Sequence, residues 1–175
     1  PNVVDTSIFS FQPKANNSKL TFCCVAHWGG VKRPDLIFNA LEKFSKQSKK
    51  PIVLNVIGEG FLLDELKKQK WSFEINYFGN RQRKELAYQL QSADYFLHAS
   101  DMETFSIVIA EALATGTPVL ASNAGAVPEL INKDNGLLSE NDVESWVKGL
   151  NEITSQNYDH QKISEAAKNY GVEKI

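Results

Sequence analysis

The sequence predicts an α/β protein, a Rossmann-like doubly wound parallel sheet with helices on both of its faces. Short, almost entirely apolar segments alternate along the chain with longer segments in which apolar residues recur every three or four positions. Such apolar segments are typical of strands that are buried on both faces of a parallel sheet. No repeat, low-complexity tract or flexible linker interrupts the alternation, so we expect a single domain over residues 1–175.

Each predicted element follows from this alternation. The first half of the chain contains strands over 20–26, 52–57 and 73–78, with helices over 34–47, 62–69 and 81–91. The second half contains strands over 93–99, 119–121 and 136–138, with helices over 105–115, 127–131, 142–153 and 159–169. Gly116, Thr117 and Pro118 end the helix over 105–115 and lead into the fifth strand.

The predicted fold also indicates where a ligand would bind. In doubly wound sheets, ligands lie beyond the carboxyl ends of the strands, at the point where the strand order reverses. The segments that follow the predicted strands are 26–32, 58–60, 79–81, 99–106 and 122–125. Candidate functional residues are therefore expected in these segments.

The composition excludes several classes of function. A net charge of −2 and a pI of about 6.0 give no overall positive field, so nucleic acid is not an expected partner. The longest apolar segments, such as 107–114, are too short to span a bilayer, and no signal-peptide pattern is recognisable. Cys23 and Cys24 are adjacent in an apolar strand, which predicts two buried thiols in a reducing compartment.

The segment from Glu103 to Glu111 is the most informative part of the sequence. Glu111 is the one charged residue in a helix that is apolar nearly all round, where an ionised carboxylate is costly unless a partner satisfies it. It either accepts hydrogen bonds from the vicinal hydroxyls of a ribose or belongs to a buried salt bridge or loop cap. Glu103 either reaches into the ligand cleft or favours the helix dipole as an acidic residue before the first turn.

The start of the same helix predicts an anion site. The amides of Phe105, Ser106 and Ile107 are expected to be unpaired there, and their partial positive charge can hold a phosphate oxygen. Every helix has such amides, so by themselves they are weak evidence for a phosphate site. The two carboxylates that flank them strengthen the prediction.

A second candidate site follows the first strand, in the loop 27–33. Gly30 lets the backbone approach a ligand closely, and Lys32 and Arg33 supply positive charge before the next helix. An ordinary solvated surface is the alternative interpretation of these two cations. His27 by itself is more typical of a structural histidine than of a ligand or a base.

Several common sites are missing from the sequence. The turns at 58–60 and 79–81 lack the G-x-G-x-x-G spacing of a nicotinamide dinucleotide site. The sequence also contains no Walker A lysine, metal-ligand cluster or nucleophile elbow. The motifs thus predict none of these metal or cofactor sites.

Together these motifs resemble the C-terminal domain of a family-4, GT-B-fold retaining glycosyltransferase, and the resemblance covers nearly the whole chain. Residues 1–9 resemble P-N-G-V-D-x-x-x-F, residues 26–33 resemble G-R-x-x-x-x-K-G, and residues 56–60 resemble V-x-G-x-G. Residues 103–111 resemble E-x-F-G-x-x-x-x-E, and residues 116–119 and 135–138 resemble G-x-P-V and N-G-x-L.

The resemblance implies that these residues bind a UDP-, GDP- or ADP-linked sugar without a metal. Glu111 would hold the ribose, Glu103 the donor sugar, and Lys32 and His27 the diphosphate. The distal phosphate would lie on the helix amides, and the base near the loop 79–81. Glu103 and Lys32 would be the catalytic residues. The full predicted donor-binding set is Glu111, Glu103, Thr104, Phe105, Ser106, Ile107, His27, Lys32, Arg33, Gly30, Asn80 and Arg81.

The sequence departs from the family pattern at three positions. His27 replaces an arginine, so a permanent bidentate cation becomes a ring that is mostly neutral at pH 7. Arg33 replaces a glycine, and we hypothesise that it compensates for His27. Ser106 replaces a glycine, and its side chain either crowds the phosphate or donates a hydrogen bond to it.

The resemblance also implies the setting in which the chain works. We expect an acceptor-binding N-terminal domain in the full-length protein, and a cytoplasmic role in polysaccharide or glycoconjugate biosynthesis at the inner face of the membrane, with peripheral association. The isolated domain is expected to bind donor without transferring the sugar. The alternatives are a non-catalytic module of the same fold, which His27 and Ser106 favour, and a sugar-nucleotide epimerase, which the E-x7-E spacing disfavours.

Overall fold

Six parallel strands form the centre of the protein in the computed structural model, which describes residues 4–170. The strands are β1 (Leu20–Val25), β2 (Ile52–Ile57), β3 (Glu74–Gly79), β4 (Tyr95–His98), β5 (Val119–Ser122) and β6 (Gly136–Ser139). Their order in the sheet is β3-β2-β1-β4-β5-β6, and every neighbouring pair is parallel. This is the strand order of a doubly wound Rossmann-like sheet, as predicted.

Six α-helices cover the sheet in the described part of the chain; the first four lie between strands, and the last two follow β6. They are α1 (Pro34–Ser45), α2 (Asp64–Lys68), α3 (Arg83–Ser92), α4 (Ile107–Ala114), α5 (Val143–Ser155) and α6 (His160–Ala167). Short 3-10 turns occur at Phe61–Leu63, Val127–Glu129 and Lys168–Tyr170. The helices lie on both faces because consecutive parallel strands require right-handed crossovers.

The apolar residues form one core on each face of the sheet. Phe22 and Cys24 of β1 belong to the core that contains α1 and α5, whereas Cys23 faces the core that contains α3, α4 and α6. Both cysteines are buried and free, which confirms the predicted buried thiols, and burial raises the pKa of Cys23 to about 12. The adjacent cysteines point to opposite faces because side chains alternate along a strand.

Four predicted elements differ clearly from the structure. The predicted helix over 62–69 is the 3-10 turn Phe61–Leu63 followed by the five-residue helix α2. The predicted helix over 105–115 begins at Ile107, because the backbone of Ser106 is extended and its side chain caps the helix. The predicted helix over 127–131 is only the 3-10 turn Val127–Glu129. The third strand is not buried on both faces: β3 is at the edge of the sheet, and its residues are exposed or half-buried.

The loops after β1 and β2 approach each other very closely at the carboxyl edge of the sheet. Gly58 has a φ of +97°, and a Cβ there would lie 1.8 Å from the carbonyl oxygen of Ala26. The indole nitrogen of Trp28 donates a hydrogen bond to the carbonyl oxygen of Ile57 at 3.0 Å. Only a glycine fits this turn, and the contact fixes the loop that carries His27.

None of the helices described in residues 4–170 has both the length and the apolar character needed to cross a membrane.

Replacement of Gly58 by alanine is expected to lower the free energy of unfolding by about 2 kcal/mol or more, because the new Cβ collides with backbone and the φ is unfavourable. Gly30→Ala is the matched control, since its φ is +57° but a Cβ there meets nothing within 4 Å. We expect the control to lose only about 1 kcal/mol. Urea unfolding followed by circular dichroism measures both; equal losses would contradict the close-approach explanation.

Candidate functional site

A cavity of about 360 Å³ lies at the carboxyl edge of the sheet, where β1 and β4 are neighbours. The chain leaves β1 toward one side of the sheet and β4 toward the other, so this is the point at which the strand order reverses. The lining residues are Val25, Ala26, His27, Lys32, Ile57, Gly58, Asn80, Arg81, Leu86, His98, Glu103, Phe105, Ser106, Ile107 and Val108.

The cavity brings together most of the residues predicted from the sequence. The predicted residues that line it are His27, Lys32, Asn80, Arg81, Glu103, Phe105, Ser106 and Ile107. The predicted residues outside its lining are Gly30, Arg33, Thr104 and Glu111. Donor binding by either group stays a prediction.

Glu103 is the centre of the charged cluster in the cavity. Its Oε2 atom accepts a hydrogen bond from the Lys32 ammonium at 2.7 Å and lies 2.9 Å from Nε2 of His98. The hydrogen bond with His98 and the Lys32 cation lower the pKa of Glu103 to about 2, although burial opposes them. The carboxylate is therefore ionised at any physiological pH.

The loop that carries Glu103 is held through its backbone. The amide of Ala126 donates to the carbonyl oxygen of Glu103 at 3.0 Å. Gly125 packs against the same carbonyl so closely that a Cβ would lie 1.8 Å from its oxygen. The position of the Glu103 side chain therefore depends on the turn after β5.

His98 is a site residue that the sequence analysis missed. It is the last residue of β4 and is only 4% exposed, and the apolar strand predicted over 93–99 contains it without giving it a role. Burial lowers its pKa, so the ring is neutral, and it donates from Nε2 because a carboxylate only accepts. The available signal was a single polar residue at the carboxyl end of an otherwise apolar strand.

The start of α4 presents free amides to the cavity. The hydroxyl of Ser106 accepts a hydrogen bond from the amide of Ile109 at 3.3 Å, so this side chain is used as the helix cap. Within residues 4–170, the amides of Ile107 and Val108 have no acceptor, and both residues line the cavity. Among the same residues, the predicted amides of Phe105 and Ser106 likewise have no acceptor, and an anion at this position stays a prediction.

Glu111 lies one turn further into α4 and is only 6% exposed. Burial raises its pKa to about 7, and the positive charge of Arg83 opposes this shift. In the part of the chain that the structure describes, its carboxylate forms neither a salt bridge nor a hydrogen bond. The salt bridge and the loop cap considered for Glu111 are therefore not formed among these residues.

Arg33 lies outside the cavity, with its charge already paired. Its guanidinium donates to Asp35 at 3.0 and 2.8 Å, and to Asp101 at 3.0 Å. The hypothesis that Arg33 compensates for His27 consequently has no support from this arrangement. His27 itself is exposed in the cavity mouth.

No group of three or more His, Cys, Asp or Glu residues that could hold a metal ion occurs between residues 4 and 170.

The sequence model of one protein family, described as "Glycosyl transferases group 1", matches residues 5–170. The chain belongs to the glycosyl transferases group 1 family. The predicted family relationship is thereby confirmed, although the segment 1–9 that contributed to it begins outside the described residues.

Several relatives of this glycosyltransferase domain are known in bacteria. The chain is 32% identical over 161 residues to the O-antigen biosynthesis glycosyltransferase WbnH of Escherichia coli, covering 89% of this chain and 45% of that protein. It is 32% identical over 110 residues to a GDP-mannose-dependent phosphatidylinositol dimannoside mannosyltransferase of Mycobacterium tuberculosis, covering 62% of this chain and 29% of that protein. The chain thus spans less than half the length of these relatives.

Solved structures of glycosyltransferases share the fold. Anabaena HepE, in complex with UDP and glucose, matches 97% of this chain with a TM-score of 0.80 at 18% identity, and the match covers 51% of HepE. The C-terminal domain of the group 1 protein LpcC from Francisella tularensis matches with a TM-score of 0.73 at 21% identity, over 97% of this chain and 100% of that one. The predicted GT-B C-terminal domain fold is confirmed.

The raised pKa of Glu111 predicts a pH-dependent stability. Its pKa is about 7 in the folded protein against an ordinary value of 4.5, so its contribution to stability is complete below 4.5 and is lost as the pH rises through 7. We expect the free energy of unfolding of Glu111→Gln to exceed that of the wild type by up to about 3 kcal/mol at about pH 8, with a higher unfolding temperature. At about pH 4 the two proteins should be equally stable. A thermal unfolding series checks this; a pH-independent difference would contradict it.

Proposed function

We propose that this chain binds a nucleoside diphosphate sugar, linked to UDP, GDP or ADP, as the donor half of a retaining glycosyltransferase. One observation carries the proposal: a single cavity contains the Lys32 ammonium, the free amides at the start of α4 and the ionised carboxylate of Glu103. A diphosphate needs the first two groups, and a sugar hydroxyl is a natural partner for the third.

The diphosphate would lie between the loop after β1 and the start of α4. An ammonium has three N–H groups, and one of those on Lys32 points at Glu103. The other two are available for phosphate oxygens. The amides of Ile107 and Val108 add two uncharged donors, reinforced by the helix dipole.

The two glutamates would hold the sugars at either side of the diphosphate. Glu103 lies in the cavity with an ionised carboxylate, as an acceptor of donor-sugar hydroxyls must. Glu111 has a carboxylate without a partner in the described chain and lies beside the cavity-lining Val108 turn. Two ribose hydroxyls donating to Glu111 would repay part of the cost of its burial.

This arrangement suits transfer of the sugar by loss of the nucleoside diphosphate. The bond between the anomeric carbon and the phosphate oxygen breaks, and its electron pair stays on that oxygen. An acceptor oxygen forms the new bond and passes its proton to the departing nucleoside diphosphate. Lys32 and the α4 amides are preorganised around the phosphate oxygens on which negative charge develops. Glu103 would orient the sugar for attack by an acceptor held on a second domain.

The names of the relatives support a nucleotide-linked sugar and a glycosyl transfer in general, but they do not agree on one donor. The Anabaena neighbour contains UDP and glucose, whereas the mycobacterial relative is named for GDP-mannose, so the base stays open. Retention of configuration, independence of metals, the cytoplasmic location and the membrane association follow from the family resemblance and stay predictions.

One observation favours a second candidate, a non-catalytic module that keeps the fold. His27 replaces the expected arginine, and the neighbouring Arg33 is paired with Asp35 and Asp101. Among the described residues, Lys32 is therefore the cationic side chain that remains at the diphosphate side of the cavity. Arg81 also lines the cavity, after β3. Weak or absent diphosphate binding is the expected behaviour of such a module.

Replacement of Lys32 by methionine should weaken nucleoside diphosphate binding by about tenfold or more, because a charge-assisted hydrogen bond to phosphate is lost. Calorimetric titration of the chain with UDP, GDP and ADP measures this and identifies the base. Lys68→Met is the matched control, because Lys68 pairs with Glu65 on the exposed surface and does not line the cavity.

The same titration separates the two candidate functions. Binding of one nucleotide that Lys32→Met weakens and Lys68→Met leaves unchanged supports the donor site. Binding that persists in EDTA supports independence of metals. A folded chain that binds none of the three nucleotides would overturn the donor-site proposal and favour the non-catalytic module.

Replacement of His27 by arginine should strengthen diphosphate binding roughly threefold to tenfold, because the exposed ring in the cavity mouth would become a permanent cation. The comparison uses the nucleoside diphosphate that binds and its parent nucleoside. We expect the nucleoside to bind both proteins equally, since it has no phosphate. An equal gain for both ligands, or no gain, would show that position 27 does not face the diphosphate.

A further inference from the structure

His98 has no assigned role in donor binding, yet it is placed where it can influence the reaction centre. It ends β4 at the floor of the cavity and is 4% exposed. Its ring stacks on Phe96, with centroids 6.3 Å apart and an interplanar angle of 30°. The ring is therefore buried and packed, and its Nε2 lies 2.9 Å from Oε2 of Glu103.

The two donors around Glu103 act on the same oxygen. Lys32 Nζ lies 2.7 Å from Oε2, and His98 Nε2 lies 2.9 Å from it. Among the described residues, Oε1 of Glu103 accepts no hydrogen bond. With both donors on Oε2, the carboxylate has one defined orientation, and its Oε1 is the atom left for a ligand.

Lys32 alone would hold this orientation poorly once a donor binds. Its flexible side chain also has to serve the diphosphate, and an ammonium turned toward phosphate oxygens makes a weaker or longer bond to Glu103. The imidazole of His98 is neutral and fixed by packing, so it does not compete for the phosphate charge. It can keep its bond to Oε2 while Lys32 shifts.

We propose that His98 is a positioning residue that holds Oε2 of Glu103, so that Oε1 faces the hydroxyls of the donor sugar. This inference rests on the proposed donor site. It assigns His98 an effect on the sugar part of the ligand and none on the nucleotide part, because the hydrogen bond of the ring is to Glu103, which would hold the sugar.

The test compares ligands that differ only in the sugar. The dissociation constants of UDP and UDP-glucose, GDP and GDP-mannose, and ADP and ADP-glucose are measured for the wild type, and the pair that binds most tightly is used for the variants. His98→Leu keeps the volume and removes the donor. His98→Gln places an amide N–H near the position of Nε2, and His98→Asn has the same amide but a shorter reach. Thermal unfolding verifies that each variant is folded, and His98→Asn replaces His98→Leu if the latter does not fold.

In His98→Leu we expect the nucleotide sugar to bind about tenfold more weakly and the nucleoside diphosphate to change by less than about twofold. His98→Gln should recover most of the lost affinity, whereas His98→Asn should behave like His98→Leu. Equal weakening of both ligands, no weakening of either, or failure of glutamine to differ from asparagine would overturn the role of His98. If the wild type binds none of the ligands, the proposed donor site itself is wrong, and the inference falls with it.

Discussion

Two backbone hydrogen bonds join the loop after β1 to the loop after β4. The amide of Arg33 donates to Ala99 at 3.0 Å, and the amide of Asp101 donates to Val31 at 2.9 Å. These bonds are possible because β1 and β4 are neighbours at the centre of the sheet, although their paired residues Phe22 and Tyr95 are 73 positions apart in the sequence. The Lys32 and Glu103 side chains meet because their loops are joined in this way.

Some polar groups at the cavity have hydrogen-bond partners within the described residues, whereas others have none. The first kind stabilises the structure, and the second kind is available to bind a ligand. Glu103 is ionised and bonded, and the Ser106 hydroxyl is used as a helix cap. By contrast, the Ile107 and Val108 amides and the Glu111 carboxylate have no partner in the described chain. Unsatisfied polar groups beside a cavity cost stability, and a ligand that satisfies them recovers that free energy on binding.

Charge at the site is more finely balanced than its lysine and arginine residues suggest. The Lys32 ammonium is opposed by Glu103, and the Arg33 guanidinium by Asp35 and Asp101. Apart from Arg81, which also lines the cavity, little net positive charge is thus left for a diphosphate, and uncharged amides have to supply part of its stabilisation. The substitution of histidine for arginine at position 27 has its largest consequence in this setting.

The sequence by itself determined the parallel α/β class, the order of its elements and the segments that form the site, because apolar periodicity and the rule for strand ends are local and topological properties. Only the tertiary structure decided the pairing of particular side chains. Arg33 turns to Asp35 and Asp101, α4 begins at Ile107, and His98 joins Glu103. The Arg33–Asp101 contact joins loops that are far apart in the chain, whereas the other contacts are between near neighbours in the sequence. Both kinds depend on the conformation of the loops, and a periodic pattern of apolar residues contains no information about that conformation.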